Sequence, residues 1–122
     1  MQKILLLEDD KSLNRGITLT LQKAGYAVTS AFTLAEAMSC LEEESYSLII
    51  CDITLPDGSG LELGQKIRKL GSTYFIYLTA MDSEIDIVNG YETGADDYIT
   101  KPFSLMVLVS KVNALMRRIN ST

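Results

Sequence analysis

Apolar residues fall along the chain in two habits, short unbroken runs and stretches at helical spacing, and the two alternate. Lys3 to Leu7 is a run that ends in Glu8-Asp9-Asp10. From Lys11 to Ala24 the residues Leu13, Ile17, Leu21 and Ala24 recur at helical spacing, and Gly25 stops the helix. Tyr26 to Ser30 alternates with strand propensity. Thr33 caps a helix carrying Leu34, Ala37, Met38 and Leu41, which ends in the acids Glu42 to Glu44. Leu48 to Cys51 is unbroken, which predicts a strand buried on both faces of a sheet. Asp52 ends it, and Pro56, Asp57, Gly58 and Gly60 mark a turn. Ser59 caps a helix with the stripe Leu61, Leu63, Ile67 and Leu70, closed by Gly71. Tyr74 to Leu78 is another buried strand, ending at Thr79-Ala80. Ser83 opens a helix through Ile85, Val88 and Tyr91, ended by Gly94. Tyr98-Ile99 is a short strand leading to Thr100-Lys101-Pro102-Phe103, and a last helix runs from about Ser104 to Ile119.

Strand then helix, five times over, calls for a parallel sheet covered on both faces by helices. The expected fold is α/β, a doubly wound five-stranded sheet of order 2-1-3-4-5 with five helices. Residues 1–119 read as one domain and 120–122 as a tail.

Composition narrows the chemistry. At 122 residues, 47% hydrophobic and a net charge of −5, the chain has no electrostatic reason to bind DNA or anionic lipid by itself. No apolar run approaches the ~18 residues of a membrane span. Cys40 and Cys51 lack metal or redox spacing and read as buried thiols of a reducing compartment. The chain contains no histidine, which removes His-based triads and most zinc sites.

Within that sheet order the polar residues at the strand ends meet. Strands one and three are neighbours at the switch point, so Glu8, Asp9 and Asp10 lie beside Asp52. Thr79 ends the fourth strand and Lys101 the fifth. Singly, each has a bland reading: Asp52 as a turn former, Asp10 and Thr79 as helix caps, Lys101 as a solvated lysine. Four such coincidences at successive strand ends favour the joint reading. Clustered carboxylates repel, and with no histidine donor their natural counter-ion is a hard cation, Mg²⁺ before Ca²⁺. Lys101 adds a point charge and Thr79 a hydroxyl. The set suits phosphoryl transfer, in which a carboxylate can itself be the nucleophile.

Leu-Leu-Glu-Asp-Asp, Cys-Asp-Ile-Thr-Leu-Pro-Asp-Gly-Ser-Gly, Leu-Thr-Ala and Gly-Ala-Asp-Asp-Tyr-Ile-Thr-Lys-Pro-Phe resemble the receiver domain of bacterial two-component response regulators, nearly end to end. The resemblance implies a flavodoxin-like fold, a histidine kinase as phosphodonor partner, and a cytoplasmic location. It implies that Asp52 is the phosphoacceptor and that Glu8, Asp9, Asp52 and the Thr54 backbone carbonyl hold Mg²⁺. Lys101 would contact the phosphoryl group, and the bond to Pro102 would be cis. Thr79 would be the switch hydroxyl and Tyr98 the aromatic that turns inward with it. Thr54 and Met81 would flank the path of the water that hydrolyses the acyl phosphate. On this reading the domain is a regulator, with only slow self-dephosphorylation of its own.

Gly94-Ala-Asp-Asp-Tyr98 and Met116-Arg-Arg118 further resemble the OmpR/PhoB-like subfamily, whose members bind DNA through an additional domain and control transcription. Its dimer face would here include Ile87, Asp96, Asp97, Val107 and Lys111. The usual basic residue is Ile87 and the usual acid is Val107, so an ion pair is replaced by two apolar groups. Leu108, Val112 and Leu115 form the expected core stripe of the last helix, leaving Val107 outward and a homodimer forming on phosphorylation. Two rival readings remain: a haloacid-dehalogenase-type phosphatase, whose second acid would fall at Thr54, and an interaction module that is never phosphorylated.

Overall fold

A computed structural model of the chain describes residues 2–68, 73–80 and 97–120. In chain order the described elements are β1 (Lys3–Leu7), α1 (Lys11–Lys23), β2 (Ala27–Ala31), α2 (Leu34–Glu43), β3 (Leu48–Asp52), β4 (Thr54–Leu55), β5 (Gly58–Ser59), α3 (Gly60–Arg68), β6 (Tyr74–Ala80), β7 (Asp97–Lys101) and a C-terminal helix (Leu105–Asn120). Five strands form one parallel sheet of order β2-β1-β3-β6-β7. With the small β4–β5 hairpin set aside, this is the order 2-1-3-4-5 of a flavodoxin-like sheet.

Strand β3 is at the centre because none of its residues before Asp52 needs water. Leu48, Ile49, Ile50 and Cys51 are fully buried. Each of the aliphatic side chains is worth roughly 1.5–3 kcal/mol of burial, enough to hold a strand whose end delivers a carboxylate beside other acids. Side chains alternate across the sheet, so each strand feeds two cores. Leu5, Leu7, Ile49, Cys51, Phe75 and Tyr77 pack with Leu34 and Ala37 of α2 and Leu63 of α3. Ile4, Leu6, Leu48, Ile50, Ile76 and Leu78 pack with Ile17 and Leu21 of α1 and Leu108, Val112 and Leu115 of the C-terminal helix.

Local chemistry sets the helix starts. Asp10 caps α1, accepting from the Leu13 N–H at 3.0 Å. Thr33 caps α2, accepting from the Glu36 N–H at 3.2 Å, while Glu36 reaches back to the Phe32 N–H at 3.0 Å. Ser59 accepts from the Leu61 N–H at 3.1 Å as α3 begins. Gly25 follows α1 at φ 100°, a conformation that L side chains avoid.

Several expectations are corrected in detail. The strand expected over Tyr26–Ser30 sits one residue later, and Ala27 to Ser30 are all half-buried rather than alternating. It is an edge strand, covered less on both faces. The strand expected from Tyr74 and ending at Thr79-Ala80 runs through Ala80 as expected, which places Thr79 within β6. The expected turn after Asp52 contains a two-residue hairpin. Cys51 is buried as expected, but Cys40 is only partly so. The helix expected from Ser83 to Gly94 lies outside the described residues, as does Gly71.

Candidate functional site

The register of the sheet brings the polar strand ends together. Leu7 pairs with Cys51, Asp52 with Leu78, and Ala80 with Lys101. Glu8, Asp52, Thr79 and Lys101 therefore emerge along one edge. One carboxylate oxygen each from Glu8, Asp9 and Asp52 lies within 4.8 Å of the other two. Glu8 is fully buried, Asp52 is 7% exposed, and Asp9 is on the surface.

Lys101 bridges two of these acids. Its Nζ lies 2.8 Å from Asp52 Oδ2 and 2.7 Å from Glu8 Oε1. The Asp52 contact is a hydrogen bond. The Glu8 contact is an ion pair at hydrogen-bonding distance, and Lys101 is the partner that Glu8 Oε1 has among the described residues. Its other oxygen, Oε2, accepts from the Asp10 N–H at 3.1 Å. Burial pushes the Glu8 carboxyl up to about 7, against the opposing pull of Lys101 and the Asp10 N–H. For Lys101, burial acts to lower the pKa, but its contacts with Asp52 and Glu8 outweigh it and the net shift is upward. Three clustered carboxylates, one of them fully buried, share a single ammonium, and the charge left over is what a hard divalent cation relieves. The residues present fit such an ion.

Two supports fix Asp52. The Thr54 N–H donates to Asp52 Oδ1 at 3.3 Å. Behind it, a Cβ on Gly60 would stand 2.2 Å from the Asp52 carbonyl oxygen and 2.7 Å from Cys51 Sγ. Only glycine lets α3 begin so close to the strand end. The Lys101–Pro102 peptide bond is cis.

Thr79 is 1% exposed on β6. Tyr98 is also buried, its ring centroid 6.0 Å from that of Tyr77. On the C-terminal helix Leu108, Val112 and Leu115 face the core, whereas Val107 is 47% exposed. Asp97 and Lys111 form an ion pair within the chain at 3.1 Å. They border an open hollow shared with Met106, Val107 and Arg118. Ile87, Asp96 and Met81 lie outside the described residues.

Sequence reasoning passed over two residues. Asn14, 2% exposed on α1, donates through Nδ2 to the carbonyls of Glu8 at 3.0 Å and Ala31 at 3.3 Å. Thr18 donates to Asn14 Oδ1, and its hydroxyl also contacts that of Ser30. This network clamps the backbone from which Glu8 springs. An asparagine within an amphipathic helix pattern was the available signal. The second residue, Asp57, had looked like an ordinary turn former; its carboxylate instead bonds to α2.

Fold and site together define a flavodoxin-like protein with an acidic edge that could hold a cation and a lysine paired with two of its acids. The chain belongs to the response regulator receiver domain family, whose pattern matches residues 4–113. It is 44% identical over 117 residues to the transcriptional regulatory protein PmrA of Pectobacterium parmentieri, covering 95% of this chain and 53% of that protein. A two-component response regulator from Clostridium difficile superposes with a TM-score of 0.92 at 33% identity, covering 98% of this chain and 99% of the other. DrrB, a Thermotoga maritima OmpR/PhoB homologue, is similar at a TM-score of 0.86 and 33% identity, over 97% of this chain and 54% of its own. These relatives align the domain with the OmpR/PhoB-like subfamily. The chain spans about half the length of the curated relatives it matches. Among the described residues no helix is long and apolar enough to cross a membrane.

Proposed function

We propose that this receiver domain is a phosphoacceptor switch: a histidine kinase phosphorylates Asp52 in an Mg²⁺-dependent reaction, and the modified domain dimerises. The observation that carries the reading is the Lys101 ammonium between Asp52 and Glu8, with the Asp9 carboxylate close to those two acids.

An Asp52 carboxylate oxygen attacks the donor's phosphorus, the bond from phosphorus to the donor atom breaks, and an acyl phosphate remains. Glu8, Asp9, Asp52 and the Thr54 carbonyl would hold Mg²⁺, which supplies charge neutralisation for the transferring group. Lys101 is already hydrogen-bonded to Asp52 and would follow the charge to a phosphoryl oxygen. The Thr79 hydroxyl would donate to another, a charge-assisted bond roughly twice as strong as a neutral one. Tyr98 is buried here, so the switch would exchange this inward position with an outward one. Thr54 and Met81 offer no general base, so loss of the phosphoryl group would be slow. The rival phosphatase reading is disfavoured by Thr54 at the place of its second acid.

The face around Val107, Lys111 and Asp97, with Ile87 and Asp96, is the proposed dimer surface. Control of transcription would require a DNA-binding domain beyond these residues, and the setting would be the cytoplasm. Incubation with acetyl phosphate and Mg²⁺ tests the assignment. The intact mass should rise by one phosphoryl group in the wild type and not in Asp52→Ala, and equal uptake by both would overturn it.

A further inference from the structure

The hairpin that follows the phosphoacceptor strand is tied down at both ends. At its root, the Ile53 N–H donates to the Leu78 carbonyl at 3.1 Å and the Gly60 N–H to the Ile53 carbonyl at 2.7 Å. At its tip stands Asp57, between the paired residues Leu55 and Gly58. The two Asp57 carboxylate oxygens accept from successive backbone N–H groups at the start of α2, Leu34 at 2.8 Å and Ala35 at 3.0 Å. These bonds hold the Asp57 carboxyl below the usual carboxylate range. The donors are two of the N–H groups that a helix start cannot satisfy internally, and the third, Glu36, is taken by Thr33. Apolar packing backs the contact: Leu34 and Leu55 are both buried in the same core, and a Cβ on Gly58 would approach Leu34 Cδ2 to 3.0 Å. A tip glycine at φ 153° allows that approach.

We infer that Asp57 is a positioning residue for metal binding: its clasp on α2 anchors the tip of the hairpin to which the Thr54 carbonyl belongs. This rests on the proposed assignment of Mg²⁺ to Glu8, Asp9, Asp52 and Thr54. Thr54 lies two residues from Asp52 and three from Asp57, so releasing the tip leaves the hairpin that carries its carbonyl held at the root alone. Outer groups that orient ligands typically change metal affinity by about 10- to 100-fold when removed. Asp57 is exposed, so its replacement leaves both cores intact.

Magnesium titration followed by amide NMR, with no phosphodonor, tests the inference on wild type, Asp57→Ala and Glu62→Gln. Glu62 lies close to Gly58 but bonds neither Leu34 nor Ala35 in the contacts above, so its substitution removes a nearby negative charge and spares the clasp. Asp57→Ala should bind Mg²⁺ about tenfold more weakly, with faster hydrogen exchange at Leu34 and Ala35. Glu62→Gln should stay within about twofold of wild type, as expected for a screened surface charge. Unchanged affinity in Asp57→Ala, with wild type binding normally, overturns the clasp and leaves the metal assignment standing. Equal losses in both variants would make the effect one of charge and also overturn it. A wild type that shows no Mg²⁺-dependent shifts around Asp52 overturns the assignment itself and the inference with it.

Discussion

Lys101 Nζ sits 2.8 Å from Asp52 Oδ2, an ammonium from the last strand held against a carboxylate from the central one. The same ammonium is 2.7 Å from the buried Glu8, so one cation serves two acids while Asp9 stands close by. That imbalance of charge underlies the chemistry proposed for this edge, and it has measurable consequences in the metal-free protein.

The first concerns pH. Burial raises the Glu8 carboxyl from 4.5 to about 7 in the folded protein. Between those values the folded state keeps a proton that the unfolded state has lost, so stability falls as pH rises through that window. The displacement corresponds to on the order of 3 kcal/mol. Chemical denaturation in EDTA at pH 5 and pH 8 should show this decline, and Glu8→Gln should largely flatten it.

Gly60→Ala should damage the site through packing alone. The added methyl would meet the Asp52 carbonyl at 2.2 Å, and that neighbour is backbone and cannot swing away. Overpacking of this kind costs about 1–3 kcal/mol or more. Thermal unfolding should report the loss, and phosphoryl uptake at Asp52 should slow beyond what the unfolded fraction explains.

What could be read from the chain, and what could not, divides along one physical line. Strand β3 was legible because a strand buried on both faces has to be apolar throughout, and Leu48 to Cys51 are. Acids at two neighbouring strand ends were legible because the sheet order places those ends side by side. Strand β2 misled because it lies at the edge, where half-burial blurs the alternation of Tyr26 to Ser30. The β4–β5 hairpin is too short to show any period. Asp57 and Asn14 act on backbone far from them in sequence, Leu34 and Ala35 for one and Ala31 for the other. A local pattern carries no trace of such partners. Val107 was placed outward correctly, because Leu108, Val112 and Leu115 claim the buried stripe.

Thr79→Ala should separate phosphorylation from its readout. Uptake at Asp52 should persist, because the hydroxyl is not the nucleophile. Phosphorylation-dependent dimerisation should be lost, and the Tyr98 ring signals should stop responding to beryllofluoride in NMR spectra. A variant that dimerises normally would remove Thr79 and Tyr98 from the switch.

On the proposed dimer face, where Val107 would meet Ile87, Val107→Glu should weaken the activated dimer by on the order of 1–3 kcal/mol for each carboxylate left without a partner. The proposed dimer, if apolar contact holds it there, should resist salt better than an ionic one. Sedimentation with Mg²⁺ and beryllofluoride, in low and high salt, reads both effects. A dimer indifferent to Val107→Glu would place the interface elsewhere.

The measurement that bears most directly on the central claim is the location of the phosphoryl group. The wild-type protein is treated with acetyl phosphate in Mg²⁺ or in EDTA, the acyl phosphate is trapped by borohydride reduction, and the peptides are mapped by mass spectrometry. The account predicts one modified residue, Asp52, in Mg²⁺ and essentially none in EDTA. Modification at another residue, or equal modification of Asp52 without a divalent cation, would contradict it.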